Sequence, residues 1–247
     1  MQFLWNEETI QRFIDASEYT GFHIRLADEI RPHLDESDSF CDIGCGLGRI
    51  DLALSPWLSH ITAADIDSRV INRLKADAAA RGITNISGKC LDISEFDEVF
   101  DVVFMSFFGK SHSIQQYYKL CRKKMIRVVN AENKGNLYPS HHRRVKKDTI
   151  PIVKNELYRS GLSYKLKTFS AEFGQPLKSM DDAKSFVVQN APDVSADELC
   201  DFLTENIQST GDNDFPYYLP NKKEMGIFII DMLGNGSLTG SIDEQSP

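Results

Sequence analysis

Ser39-Phe40-Cys41-Asp42-Ile43-Gly44-Cys45-Gly46-Leu47-Gly48-Arg49 decides how this chain folds. An apolar run suited to a buried strand breaks into a turn with glycine at every second position, and residues 49–58 then take up a helical pattern. Gly44, Gly46 and Gly48 let the backbone adopt positive φ and bring bare N–H groups against a ligand. The helix turns its partly positive N-terminus toward the same point. Such a loop suits a dinucleotide phosphate or a carboxylate, and the choice decides what the protein does.

Two features turn the reading away from a pyrophosphate. The dinucleotide fingerprint spaces its glycines G-x-G-x-x-G, the third allowing close helix–strand packing. Here the spacing is G-x-G-x-G, and Arg49 stands where that third glycine would fall. Asp42, at the strand's end just before Gly44, would repel a pyrophosphate more strongly as the site dries out, and favours a cationic ligand. The D-x-G-x-G-x-G pattern at 42–48 resembles the first motif of class I S-adenosylmethionine-dependent methyltransferases, whose cofactor carries an ammonium and a sulfonium and no phosphate. The resemblance implies cofactor contacts from Asp42, Gly44, Cys45, Gly46 and Gly48.

About twenty residues on, an acid should close a second strand and accept hydrogen bonds from ribose hydroxyls. His60-Ile61-Thr62-Ala63-Ala64-Asp65-Ile66-Asp67 supplies it. By the resemblance, Asp65 binds the ribose and Ile66 packs on the adenine face. Asp67 suits the N-cap of a helix over 68–81 that stops at Gly82. Residues 83–91 form the next strand, followed by Asp92-Ile93, where the family reaches the adenine amino group and ring; Asp92 equally suits a cap on a short turn. The apolar run 100–109 fits a strand buried on both faces. It resembles the family's fourth strand, whose end, with Ser106, lines the methyl-transfer site. The expected fold is therefore α/β: a doubly wound, seven-stranded, mostly parallel sheet with an antiparallel C-terminal strand, an N-terminal helical cap and a helical insert before the last strand.

Apolar spacing near 3.6 makes 3–34 helical, and residues 1–38 are expected to cap the core. Such caps often fold over the methionine end of the cofactor in this family, which nominates Tyr19 and His23. The core, 39–176, continues with a helix over 114–121, a strand over 124–130, a helix over 145–159 and a strand over 164–169. Two helices near 181–189 and 196–208 make 177–215 an insert, either a substrate cover or plain packing. Residues 216–233 return the last strand to the core, and 234–247 form a flexible tail.

The 247 residues fit one α/β domain with added elements. No apolar run reaches the eighteen or so residues of a membrane span, and the N-terminus lacks the basic start of a secretion signal; a cytoplasmic protein with no membrane partner is expected. The cysteines at 41, 45, 90, 121 and 200 show no zinc-knuckle spacing and build no disulfide framework, and the histidines are dispersed apart from His141-His142. No metal is expected. A net charge of −8 argues against nucleic acid as the main partner. The exception is His141-His142-Arg143-Arg144-Val145-Lys146-Lys147, either a solvated face or an anion-facing rim in which Arg143 or Arg144 grips a carboxylate or phosphate.

The activity implied is methyl transfer from S-adenosylmethionine to a small-molecule acceptor, anionic if that rim is real, leaving S-adenosylhomocysteine. The protein must align a lone pair with the methyl–sulfur bond and exclude water. His112, His141 and His142, in loops beyond the fourth and fifth strands, are candidate catalytic bases where the acceptor must lose a proton. Ser106-Phe107-Phe108-Gly109 lacks the Asn/Asp-Pro-Pro-Tyr-like sequence of enzymes that methylate base amines or glutamine. The alternatives are a catalytically silent S-adenosylmethionine-binding module, an RNA methyltransferase and, disfavoured by Arg49 and Asp42, a nicotinamide oxidoreductase.

Overall fold

The computed structural model describes residues 5–109, 115–143 and 147–232. Phe40–Ile43 (β1), Ile61–Asp65 (β2), Ile86–Cys90 (β3), Phe100–Ser106 (β4) and Cys121–Asn130 (β5) run parallel. Tyr164–Glu172 (β6) lies at the far edge, while Gln175–Leu177 (β7), Gln208–Ser209 (β8) and Tyr217–Leu219 (β9) form a separate small sheet. Lys222–Asp231 (β10) returns between β5 and β6, antiparallel to both. The main sheet thus has the order β3-β2-β1-β4-β5-β10-β6, the seven-stranded, mostly parallel arrangement expected. Chain direction along the sheet reverses between β1 and β4, and α/β sheets bind ligands at the carboxyl ends of strands at such a switch.

Both faces of the sheet are covered, so its strands read as continuous apolar runs. On β4, Val102 and Phe104 pack with Leu26 and Ile30 of the helix Phe22–Ile30 (α2) and with Ile50 and Leu54 of Arg49–Leu54 (α3). Val103 and Met105 point the other way, toward Tyr117 of Gln115–Tyr118 (α5) and Val153 and Leu157 of Ile150–Arg159 (α6). Glu7–Thr20 (α1) opens with a capping box between Asn6 and Thr9. Gly21, at φ 63°, ends it and starts α2, giving the bend that divides the cap. Ser68–Ala80 (α4) is capped by Asp67, whose carboxylate accepts from the Arg69 N–H, as its sequence predicts.

Several boundaries differ for local reasons. α3 stops at Leu54 rather than 58, because Pro56 cannot donate the next helical hydrogen bond. β5 starts at Cys121, three residues ahead of expectation, although Arg122-Lys123-Lys124 looks too charged for a strand. Each cation there is held: Arg122 by Asp101, Lys123 by Asp38, and Lys124 by the His33 carbonyl. α6 begins at Ile150, with Pro151 in its first turn, later than the predicted 145. The helix expected over 114–121 is described over Gln115–Tyr118 and gives way to a turn at 119–120, short of its expected end.

Met180–Asn190 (α7) and Ala196–Asn206 (α8) realise the two helices of the insert. They share an apolar cluster of Leu177, Ala183, Phe186, Val187, Leu203 and Leu219, and they stand on the β7-β9-β8 sheet, which alternation alone did not reveal because its strands are only two or three residues long. Arg12 of α1 pairs with Asp182 of α7 at 2.9 Å, joining cap and insert. The expected tail 234–247 lies outside the described residues. No described helix is long and apolar enough to cross a membrane, and all five cysteines are free.

Candidate active site

The glycine-rich loop leaves β1 with positive φ at Gly44, Gly46 and Gly48, but its N–H groups are not bare. Those of Gly44 and Cys45 donate to the Ala64 carbonyl, that of Gly46 to Asp65 Oδ2, and that of Gly48 to the Cys45 carbonyl. This corrects the expectation of open donors. A phosphate would find these four N–H groups committed.

The glycines differ in what their missing side chains make room for. A Cβ at Gly48 would lie 2.4 Å from Leu74, so that position serves close packing of the loop on α4. A Cβ at Gly44 would lie 2.3 Å from the Phe108 ring, and one at Gly46 would touch Trp5 at 3.4 Å. Two aromatic side chains therefore line the open side of the loop. Cys45 turns its thiol to the Gly46 carbonyl and packs with Leu47 and Val70. Arg49, at the displaced third-glycine position, is buried against Glu18 (2.5 Å) and Asp77 (3.3 Å).

Directly beneath the loop lies a feature that the motif did not announce. Asp42 and Asp51 are both almost fully buried, with their carboxyl groups together. Among the described residues no partner reaches Asp42 Oδ1, and the hydrogen bond between the two carboxyl groups requires a proton on one of them. Burial first, and the neighbouring carboxylate second, push Asp42 well above the usual carboxylate range; burial raises Asp51 to about 7. The pair therefore keeps a proton near neutral pH and carries at most about one negative charge, which suits a cation better than a phosphate.

Asp65 ends β2 with both oxygens partly engaged: Oδ2 braces Gly46 and Oδ1 accepts from the Asp67 N–H, each at 3.0 Å. A carboxylate oxygen accepts more than one hydrogen bond, which leaves capacity for hydroxyl donors. Ile66 beside it is 54% exposed, an uncovered apolar surface at the position expected to meet a base. The Asp65 carbonyl accepts from the Leu91 N–H, which draws the next loop alongside. There Asp92 is exposed and binds Ser94 through its N–H and hydroxyl, while Ile93 belongs to a short 3-10 turn.

Ser106, at the end of β4, is followed by Phe107 at φ 52°, a conformation costly for an aromatic residue. Tyr19 faces away, its ring 5.1 Å from that of Tyr218 in a cleft also lined by Thr20 and Glu172. His23 sits among Phe13, Phe22 and Phe173 and shares a 2.7 Å hydrogen bond with Ser17. Burial, reinforced by the charges of Lys223 and Arg49, lowers it to about 3, so it is neutral at physiological pH. The His141 and His142 rings lie 4.3 Å apart, tilted by 39°, and both turn Nε2 to Glu198 of α8, at 2.7 and 3.0 Å. The imidazoles hold Glu198 below the usual carboxylate range and clip the loop beyond β5 to the insert. The three ligand-type atoms lie within 4.8 Å of one another. His112 and Arg144 lie outside the described residues.

Residues 40–132 match the family described as methyltransferase domain, while none of the curated protein sequences matches the chain significantly. Among solved structures, the fold is similar to an S-adenosylmethionine-dependent methyltransferase from Aquifex aeolicus, with TM-score 0.53, 10% identity, and coverage of 92% of this chain and 99% of that one. It is similar to magnesium protoporphyrin IX methyltransferase from Synechocystis, solved with bound S-adenosylhomocysteine, with TM-score 0.50, 10% identity, and coverage of 92% and 89%. A [4+2]-cyclase shares the fold as well, with TM-score 0.53, 14% identity, and coverage of 84% and 80%. Residues 40–132 thus match a methyltransferase-domain family, and the chain as a whole has the α/β fold of these methyltransferases.

Proposed function

We propose that this protein binds S-adenosylmethionine at the β1 loop and transfers its methyl group to a small-molecule acceptor. One observation carries the reading: the buried Asp42–Asp51 pair lies under a glycine-rich loop whose N–H groups at 44, 45, 46 and 48 are already satisfied. That combination favours a cationic, phosphate-free ligand.

When bound, the cofactor supplies a methyl group already activated by its sulfonium. The chain's own residues then bind, orient and exclude water. The Asp42–Asp51 pair favours positive charge, Asp65 accepts from ribose hydroxyls, and Ile66 offers its exposed apolar surface to the base, with Asp92 and Ile93 assigned to the base from the adjoining loop. Phe108 packs directly on Gly44 and Trp5 lies beside Gly46, so these rings cover the loop from water and Phe108 must swing aside for a ligand to reach Gly44. Ser106 and Phe107 face the acceptor. Water exclusion and alignment supply the catalysis, and a base is needed only for an acceptor that must lose a proton. His141 and His142, tied to Glu198, are assigned the lesser role of holding the insert over the acceptor side.

The test is turnover: release of S-adenosylhomocysteine when the protein is supplied with S-adenosylmethionine and a panel of small-molecule acceptors. Tight binding without release from any acceptor would favour a silent binding module or, given the cyclase that shares this fold, a different chemistry.

A further inference from the structure

A second charged feature stands at the carboxyl edge of the sheet. β10 runs antiparallel to β5, and Met225 pairs with Asn130, the last residue of β5. Lys223 therefore projects just beyond the edge where β4 and β5 end. Its ammonium lies 3.5 Å from the Phe107 ring centroid, 5.4 Å from that of Phe173 and 5.5 Å from that of Phe22. Ring faces attract a cation, but they do not neutralise it. The nearby acids are engaged or turned away. Glu172 accepts from the Tyr218 hydroxyl and the Asn221 N–H, and Glu224 follows Lys223 on the opposite face of the strand.

Two further cations converge on the same place. The Lys147 ammonium is 6.0 Å from the Phe107 centroid that Lys223 also faces. Arg143 approaches the start of β10 through Gly135: a Cβ there would lie 2.5 Å from Arg143 Nη2 and 3.5 Å from Asn221 Oδ1. Arg143 Nε is buried without an acceptor among the described residues. Desolvation and the charges of Lys147 and Arg143 hold Lys223 well below its ordinary pKa. With no acid paired to them among the described residues, the three cations repel one another at a cost that grows with burial. An anion placed among them would relieve it.

We propose that Arg143, Lys147 and Lys223 form the seat for a carboxylate or phosphate on the methyl acceptor, whose apolar body packs on Phe107 and Phe173. The seat names the acceptor class and in that respect rests on the function proposed above. Its position beside Phe107, one residue beyond Ser106, sets the anion next to the end of β4.

Calorimetric titration tests it with benzoate, phenyl phosphate and uncharged benzamide at constant ionic strength, on wild type, Lys223→Met and Lys147→Met. S-adenosylhomocysteine is titrated into the same proteins. The expected result is binding of at least one anion but not of benzamide, weakened at least tenfold in both variants while S-adenosylhomocysteine affinity is unchanged. Comparing benzoate with phenyl phosphate identifies which anion the seat takes. Equal binding of benzamide and benzoate, no anion binding by wild type, or variants that bind anions as wild type does would each overturn the proposal. Anion binding that follows this pattern without any binding of S-adenosylhomocysteine would leave the seat standing and overturn the methyltransferase reading instead.

Discussion

Asp42 on β1 and Asp51 on α3 bring two carboxyl groups together in the interior, where burial raises Asp51 to about 7 against the opposing effect of its hydrogen bond with Asp42. An acid whose folded pKa lies above its unfolded value keeps a proton in the folded state that the unfolded state releases. Its stability contribution is full below the unfolded pKa and is lost as pH rises through the folded one. Asp51→Asn should therefore stabilise the protein at pH 8 and have little effect at pH 4, the gain growing by about 1.4 kcal/mol per pH unit between roughly pH 4 and 7. Urea unfolding across that range reads the slope.

His23 contributes the opposite slope. Its folded pKa of about 3 lies below the ordinary value near 6.5. The unfolded chain binds the proton first, so stability falls as pH drops below about 6.5. Because the ring is partly solvent-accessible, the slope is about 1 kcal/mol per pH unit or less. His23→Gln, which can keep a hydrogen bond to Ser17, should flatten the acid limb of the stability curve; an unaltered limb would show that His23 titrates normally.

The glycines of the motif divide by what lies over them. Gly48→Ala drives a Cβ to 2.4 Å from Leu74 at φ 61° and should cost about 3 kcal/mol of stability. Gly46→Ala meets Trp5 only at 3.4 Å and should cost about 1 kcal/mol, the left-handed backbone alone. Thermal unfolding of the two variants separates a packing glycine from one beside the ligand.

Arg127 is fully buried on β5 and ties that strand to Asp148 (2.5 Å) and Glu156 of α6 (3.1 Å). Arg127→Met leaves both acids facing a lost charge and should cost about 3–5 kcal/mol. A change under 1 kcal/mol in chemical denaturation would show that the network relaxes.

The fold was legible because its signals are local. Gly44 to Gly48 break β1, Asp65 falls where β2 must end, Asp67 caps α4, and β4 is apolar from Val102 to Met105. The site was only half legible. Asp51 looks like an ordinary acid in a helix's first turn, and only the packing of α3 on β1 brings it to Asp42. Lys223 lies two residues ahead of the apolar run that marks β10, and its neighbours Phe22, Phe107 and Phe173 come from three distant segments. Arg127 is hidden the same way, since a lone charge within a strand reads as an exposed residue until its partners are in place. Long-range pairing, which leaves no periodicity in sequence, accounts for each.

The most direct measurement is calorimetric titration of S-adenosylmethionine and NAD into wild type and Asp65→Ala, at pH 6 and pH 8. Binding of S-adenosylmethionine alone is predicted, stronger at pH 8, where the Asp42–Asp51 pair is more fully ionised, and abolished or greatly weakened by Asp65→Ala. NAD binding more tightly than S-adenosylmethionine, or neither binding at either pH, would contradict the account.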